Sequence, residues 1–101
     1  MTELTSKQRA HLRSLAHHLK PIVHIGNDGV TQAVLKTIEE AFNTRELLKV
    51  KVLDGAPDDP RATADRIAES LDGVEVPQTI GRTVVLFRPD PEDPQIDLKK
   101  L

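Results

Sequence analysis

The sequence predicts a mixed α/β domain, a four-stranded sheet with three helices in the order α-β-α-β-α-β-β. Three observations carry this. Apolar residues recur at helical spacing in three stretches, each opened by a residue suited to capping. Short β-branched or alternating runs lie between and after them. The last two runs are joined by Gly81-Arg82 alone, which fits a two-residue hairpin with glycine first. Strands separated by helices imply right-handed parallel crossovers, and the hairpin adds an antiparallel pair. At 101 residues there is room for one substantial core.

The first helix is expected to start near Thr5 or Ser6, either of which can satisfy free backbone N–H groups. Leu12, Leu15, Ala16 and Leu19 then repeat at the spacing of one buried face, and Pro21 ends the helix. At about 100° per residue, Arg9, Arg13, His17 and Lys20 fall between roughly 60° and 140° from Leu12, a basic stripe beside that face. Ile22-Val23-His24-Ile25 reads as a short strand ended by Gly26-Asn27-Asp28-Gly29. Thr31 caps the second helix, with Val30 and Leu35 spaced as a hydrophobic staple. Leu35, Ile38 and Phe42 continue its apolar face to about Asn43. In the run Leu47–Leu53, residues Leu48, Val50 and Val52 point one way and Lys49 and Lys51 the other. Asp59-Pro60 opens the third helix as cap and first residue, Ala64, Ile67, Ala68 and Leu71 form its buried side, and Gly73 suits its C-terminal turn. Strands at 75–80 and 83–87 follow. Pro77 lacks a ladder donor, so its strand is an edge or is interrupted there. Residues 1–89 thus make the domain. Residues 90–101 form an acidic, proline-spaced tail expected to be a partly ordered extension, with Ile96, Leu98 and Leu101 available for docking.

The net charge of −2 conceals an asymmetry. Residues 1–51 carry eight basic against five acidic side chains, and residues 52–101 six against eleven. A surplus of +3 therefore faces a deficit of −5, a pattern compatible with a nucleic-acid-facing surface beside an acidic region. There is no cysteine, hence no disulfide, thiolate metal site or thiol nucleophile. No apolar run approaches the roughly 18 residues of a membrane span, and the first residues lack a signal-peptide layout, so a cytoplasmic protein is expected. Two phenylalanines, with no Trp or Tyr, leave little for stacking on bases and favour recognition of shape and backbone. His17 and His18 are adjacent, and His11 and His18 have no nearby carboxylate, so no metal or other cofactor is expected. Ser6, Ser14 and Ser70 sit in no nucleophile elbow and no carboxylates pair as acid and base, so no enzymatic activity is expected either.

The G-x-x-G run Gly26-Asn27-Asp28-Gly29 lies between a strand and a helix N-terminus. Such a run either makes a tight turn or lets a sugar-phosphate backbone approach a loop without Cβ atoms. The basic first helix feeds directly into the strand carrying it. These features together resemble a known family. Leu4-Thr5-Ser6-Lys7-Gln8-Arg9, Leu12-Arg13, Leu15-Ala16-His17, Leu19-Lys20-Pro21 and Ile25-Gly26-x-x-Gly29-Val30-Thr31 resemble the CRM (chloroplast RNA splicing and ribosome maturation) domain, best matched by its stand-alone bacterial YhbY type. The segments 46–52 and 80–89 are similar to its later signatures. The resemblance implies an RNA-binding module with a fold similar to the C-terminal domain of translation initiation factor three. It further implies association with ribosomal RNA in precursors of the large ribosomal subunit, and a role in ribosome assembly.

Carried onto this sequence, the RNA-contacting set is Lys7, Arg9, Arg13, His17 and Lys20, the loop Gly26, Asn27, Asp28 and Gly29, then Thr31 and Arg88. Lys49, Lys51 and Arg82 match the family pattern, but strand lysines can equally serve to solvate a sheet face. His17 can contact RNA or cap the helix end. Asp28 sets a carboxylate where a phosphate would sit unless it caps the next helix, and the acidic second half lacks the basic residues often found after the last strand. Binding weaker or more selective than in basic relatives is therefore expected. A monomer is expected. The rival reading is a protein-interaction module whose acidic half engages a basic ribosomal protein or another assembly factor.

Overall fold

A computed structural model describes residues 4–98. Seven elements follow in the expected order: α1 (Ser6–Ala16), β1 (Val23–Ile25), α2 (Gln32–Ala41), β2 (Leu47–Val52), α3 (Pro60–Ser70), β3 (Glu75–Ile80) and β4 (Thr83–Phe87). The strands lie in the order β1-β2-β4-β3. β1 and β2 are parallel, while β4 runs antiparallel to β2 on one side and to β3 on the other. The last strand therefore inserts between the second and third and becomes, with β2, an interior strand of the sheet.

Local chemistry fixes the helix starts. Thr5 and Gln8 form a reciprocal capping box: Thr5 Oγ1 accepts the Gln8 N–H at 3.1 Å, and Gln8 Oε1 accepts the Thr5 N–H at 2.9 Å. Thr31 Oγ1 accepts from Val34 N–H, and Asp59 Oδ1 from Ala62 N–H with Pro60 as the first helical residue. Gly73 takes φ +77°, two residues past the α3 cap Leu71.

The end of α1 departs from expectation. The helix closes at Ala16 with His17 as cap, and Leu19 N–H turns back to Ala16 C=O. Only Leu12 and Ala16 are buried; Leu15 and Leu19 stay 40% and 38% exposed. The chain must reverse here so that β1 can lie beside β2, where Ile22 N–H donates to Lys49 C=O. Lys20 consequently sits on the connector and not on the helical stripe.

Two apolar layers enclose the sheet. On one face Val23, Ile25, Leu48, Val50, Val52, Val84 and Leu86 pack with Ile38 and Phe42 of α2 and Ala64 and Ile67 of α3. On the other, Leu47, Val85 and Phe87 pack with Leu12 and Ala16, joined by Leu4, Ile96 and Leu98. The four consecutive apolar residues 84–87 are buried because β4 is covered on both sides. Each core leucine of this kind typically contributes about 2–5 kcal/mol against alanine.

Pro77 satisfies both halves of its expectation. β3 is an edge strand, and its register with β4 shifts between Glu75 and Gln78, a bulge that contains the proline.

The acidic tail folds back onto the domain. Glu46, 6% exposed, accepts the backbone N–H groups of Asp90 (2.6 Å), Gln95 (2.8 Å) and Ile96 (2.8 Å). Ile96 and Leu98 then reach the smaller apolar layer. Leu101, the third docking candidate, lies outside the described residues.

Candidate nucleic-acid interface

α1 crosses only part of its sheet face, over Leu47, Val85 and Phe87. The rest of that face is open. Strand register sets His24 opposite Lys51, Lys51 opposite Thr83, and Thr83 opposite Ile80, so one row crosses all four strands. Residues paired in this way share a face. His24 and Lys51 are exposed, Thr83 is half-buried, and Ile80 is 56% exposed. The adjacent row carries Lys49 and Gln78 on either side of Val85. Lys49 Nζ donates to Leu19 C=O at 3.0 Å, which holds the α1–β1 connector against the sheet. Between this row and α1 runs a cleft of about 330 Å³ lined by Arg13, Ser14, His17, Lys49, Gln78 and Ile80, with no carboxylate among them.

The expected site residues separate into groups. Arg13 and His17 meet in that cleft. Lys7 and Lys20 are exposed, the first near the far end of α1 and the second on the connector. Arg9 is half-buried and donates from Nη1 to Val76 C=O at 3.1 Å, inside the β3 bulge. It fastens α1 to an irregular strand and shares its groove with Asp65, Glu69 and Glu75. Its surroundings are thus mixed in charge, unlike those of Arg13.

Arg88 leaves the group. Its guanidinium makes a bidentate pair with Glu39 at 2.8 and 3.0 Å and lies 5.0 Å from the centre of the Phe42 ring. Phe42 belongs to the layer beneath α2 and α3, so Arg88 is engaged on the face opposite the cleft. The arginine's hydrogen bonds hold the Glu39 carboxyl below its ordinary pKa. Arg82 is similarly occupied, donating to Val52 C=O and Leu53 C=O beside Asp54 at 3.3 Å.

The glycine run continues directly from β1, at the His24 end of the open row. Gly29 N–H donates to Gly26 C=O at 3.0 Å, closing a turn. Gly29 is buried with φ +67°, and a Cβ there would stand 2.9 Å from Pro57 Cγ. Glycine is required at this position by the turn and by the neighbouring loop. Gly26 has no positive φ, and a Cβ would meet only Leu53 at an ordinary 3.9 Å. A Cβ on Gly55 would collide with the Asn27 side chain, so this loop too packs against the run. Thr31 is occupied as the α2 cap. Asp28 does not cap α2; it is exposed and makes no side-chain hydrogen bond or ion pair with the described residues.

His24 and Ile80 were not anticipated. The alternation of β2 already separated Lys49 and Lys51 from its apolar residues. Which strands flank β2, and hence which side chains stand beside those lysines, depends on sheet order.

Fold and surface together define a small α/β domain that covers one sheet face fully and leaves part of the other open and basic. The chain belongs to the CRM family: the CRS1 / YhbY (CRM) domain model matches residues 4–88. It is 42% identical over 95 residues to a Bacillus subtilis protein named "Probable RNA-binding protein YqeI", covering 94% of this chain and 98% of that one. A Haemophilus influenzae protein named "RNA-binding protein" is 42% identical over 92 residues, 91% of this chain and 92% of the relative. The same fold occurs in the solution structure of a Staphylococcus aureus protein described as "a putative RNA binding protein". The TM-score is 0.78 at 38% identity, over 94% of this chain and 98% of that one. These relatives are named as binders and not as enzymes. Among the described residues no helix is long and apolar enough to cross a membrane.

Proposed function

We propose that this protein binds RNA without catalysing a reaction on it, and that its ligand is ribosomal RNA in precursors of the large subunit during assembly in the cytoplasm. The observation that carries the RNA reading is the carboxylate-free basic cleft where Arg13 and His17 meet Lys49. Lys20 lies beside this surface in sequence, on the connector that Lys49 holds. The names of the relatives support the same reading. The ribosomal ligand is what membership of the family suggests. Phosphates neutralised by such cations release counterions, so affinity falls steeply with salt.

The test is binding to large-subunit ribosomal RNA fragments over a salt series, for wild type, Arg13→Glu/Lys20→Glu and Asp28→Lys. The double reversal is expected to weaken binding at least tenfold and to flatten the salt slope by about two. Asp28→Lys is expected to tighten it severalfold, by replacing an exposed carboxylate at the His24 end of the open row. Gly29 is the wrong residue for this purpose, because any side chain there strains the turn. If neither salt nor the double reversal matters, the RNA face is wrong.

One observation favours a second reading. Leu15, Leu19 and Phe42 line a groove of about 530 Å³ bordered by Asp90 and Asp93, with Arg45 as its one basic residue. An apolar floor with acidic edges suits a basic protein segment, and such binding would survive charge reversal at Arg13 and Lys20.

A further inference from the structure

We propose that the open part of the sheet is a seat for an unpaired nucleotide, with Ile80 as the apolar contact for its base or ribose and the surrounding cations as the contacts for its phosphates. This rests on the RNA-binding reading above and adds to it an apolar contact within that surface and a class of RNA.

Ile80 is the most exposed of the large hydrophobic side chains on the described surface, at 56%, and it sits at the end of the open row that carries Lys51. His24, Lys51 and Thr83 lead to it across the sheet, with Lys49 in the row behind and Arg13 across the cleft. A site for phosphates alone gains nothing from a bare isoleucine at its edge. Polar residues would also solvate better there. A nucleotide presents both chemistries: an anion on one side, and on the other an apolar ring face that every base carries. The sheet can accept that ring only when the base is not already stacked in a helix, because the faces of paired bases are covered by their stacked neighbours. The cleft of about 330 Å³ is large enough for one ring system and its sugar and is too shallow to enclose more. With no Phe, Tyr or Trp in the cleft, the contact Ile80 makes is aliphatic and tolerant of sequence.

The test uses the full chain, a single-stranded RNA of about twelve nucleotides in mixed sequence, and the duplex it forms with its complement. Ile80→Ala is expected to weaken single-strand binding about three- to tenfold, with the salt slope unchanged because no phosphate contact is lost. Duplex binding should be unaffected. Ile80→Tyr is expected to tighten single-strand binding, a gain that loss of folding cannot imitate. Lys51→Glu should lower the salt slope by about one. The proposal is overturned if both Ile80 variants bind the single strand as wild type does while Arg13→Glu/Lys20→Glu still weakens it; the RNA reading then stands without it. It is also overturned if Ile80→Ala weakens duplex and single strand equally. Absence of wild-type binding to the single strand at low salt, with binding to large-subunit ribosomal RNA fragments retained, would remove this proposal alone.

Discussion

A single buried carboxylate decides where the last part of the chain goes. Glu46 opens the 46–52 stretch that resembles a later family signature, yet by its pattern it reads only as the approach to a strand. Its neighbour Leu47 enters the sheet, which fixes the Glu46 carboxylate beneath the returning tail, where three backbone N–H groups converge on its two oxygens. Such hydrogen bonds to a charged acceptor are short and among the stronger ones in a protein. Glu46→Ala should cost about 2–3 kcal/mol in chemical denaturation. It should also speed amide exchange at Asp90, Gln95 and Ile96 ahead of the sheet amides. Glu46→Gln keeps one acceptor oxygen and should lie between. None of this was legible in the sequence, because a carboxylate that accepts from backbone groups more than forty residues away leaves no mark in the side chains there. Thr5, Thr31 and Asp59 were legible because their partners lie three residues on.

At the level of elements, the pair between Glu39 of α2 and Arg88 just beyond β4 ties a helix to the end of an interior strand. It has a consequence in pH. The folded-state pKa of Glu39 lies below the unfolded value, so its contribution is fully present above the unfolded pKa, about 4.3. It is lost as pH falls through the depressed folded value. Half-exposure of the Glu39 side chain keeps the effect small. Melting temperatures of wild type and Glu39→Gln should therefore differ by a degree or two at pH 7 and converge as pH falls through the lowered folded-state value. The same pair explains why Arg88 matched a site pattern in sequence and yet faces away from the cleft: neighbouring Phe87 points into the α1 layer, and alternation turns Arg88 to the other side. The end of α1 was misjudged for a related reason. Leu19 kept helical spacing, but β1 must begin close enough to pair with β2, and that tertiary demand overrides local periodicity.

Across the whole molecule, the order of elements and most of both apolar layers could be read from spacing. Sheet order could not, and the open basic row exists only because β4 brings Thr83 and Ile80 alongside Lys51. The division of the chain at Pro89 invites a direct test, since Ile96 and Leu98 complete the smaller apolar layer. A chain ending at Pro89 should unfold about 2–4 kcal/mol more easily in denaturant, from the lost apolar burial and the orphaned Glu46 carboxylate. An unchanged midpoint would mean that the first 89 residues are self-sufficient. The two margins of the sheet carry a last consequence. One is β1, only three residues long; the other is β3, broken by a bulge around a proline that has no N–H to offer. Neither gives an incoming strand a continuous ladder, so two copies meeting side by side find nothing to extend. A sheet with one face left partly bare therefore has rims that offer no continuous template for strand pairing.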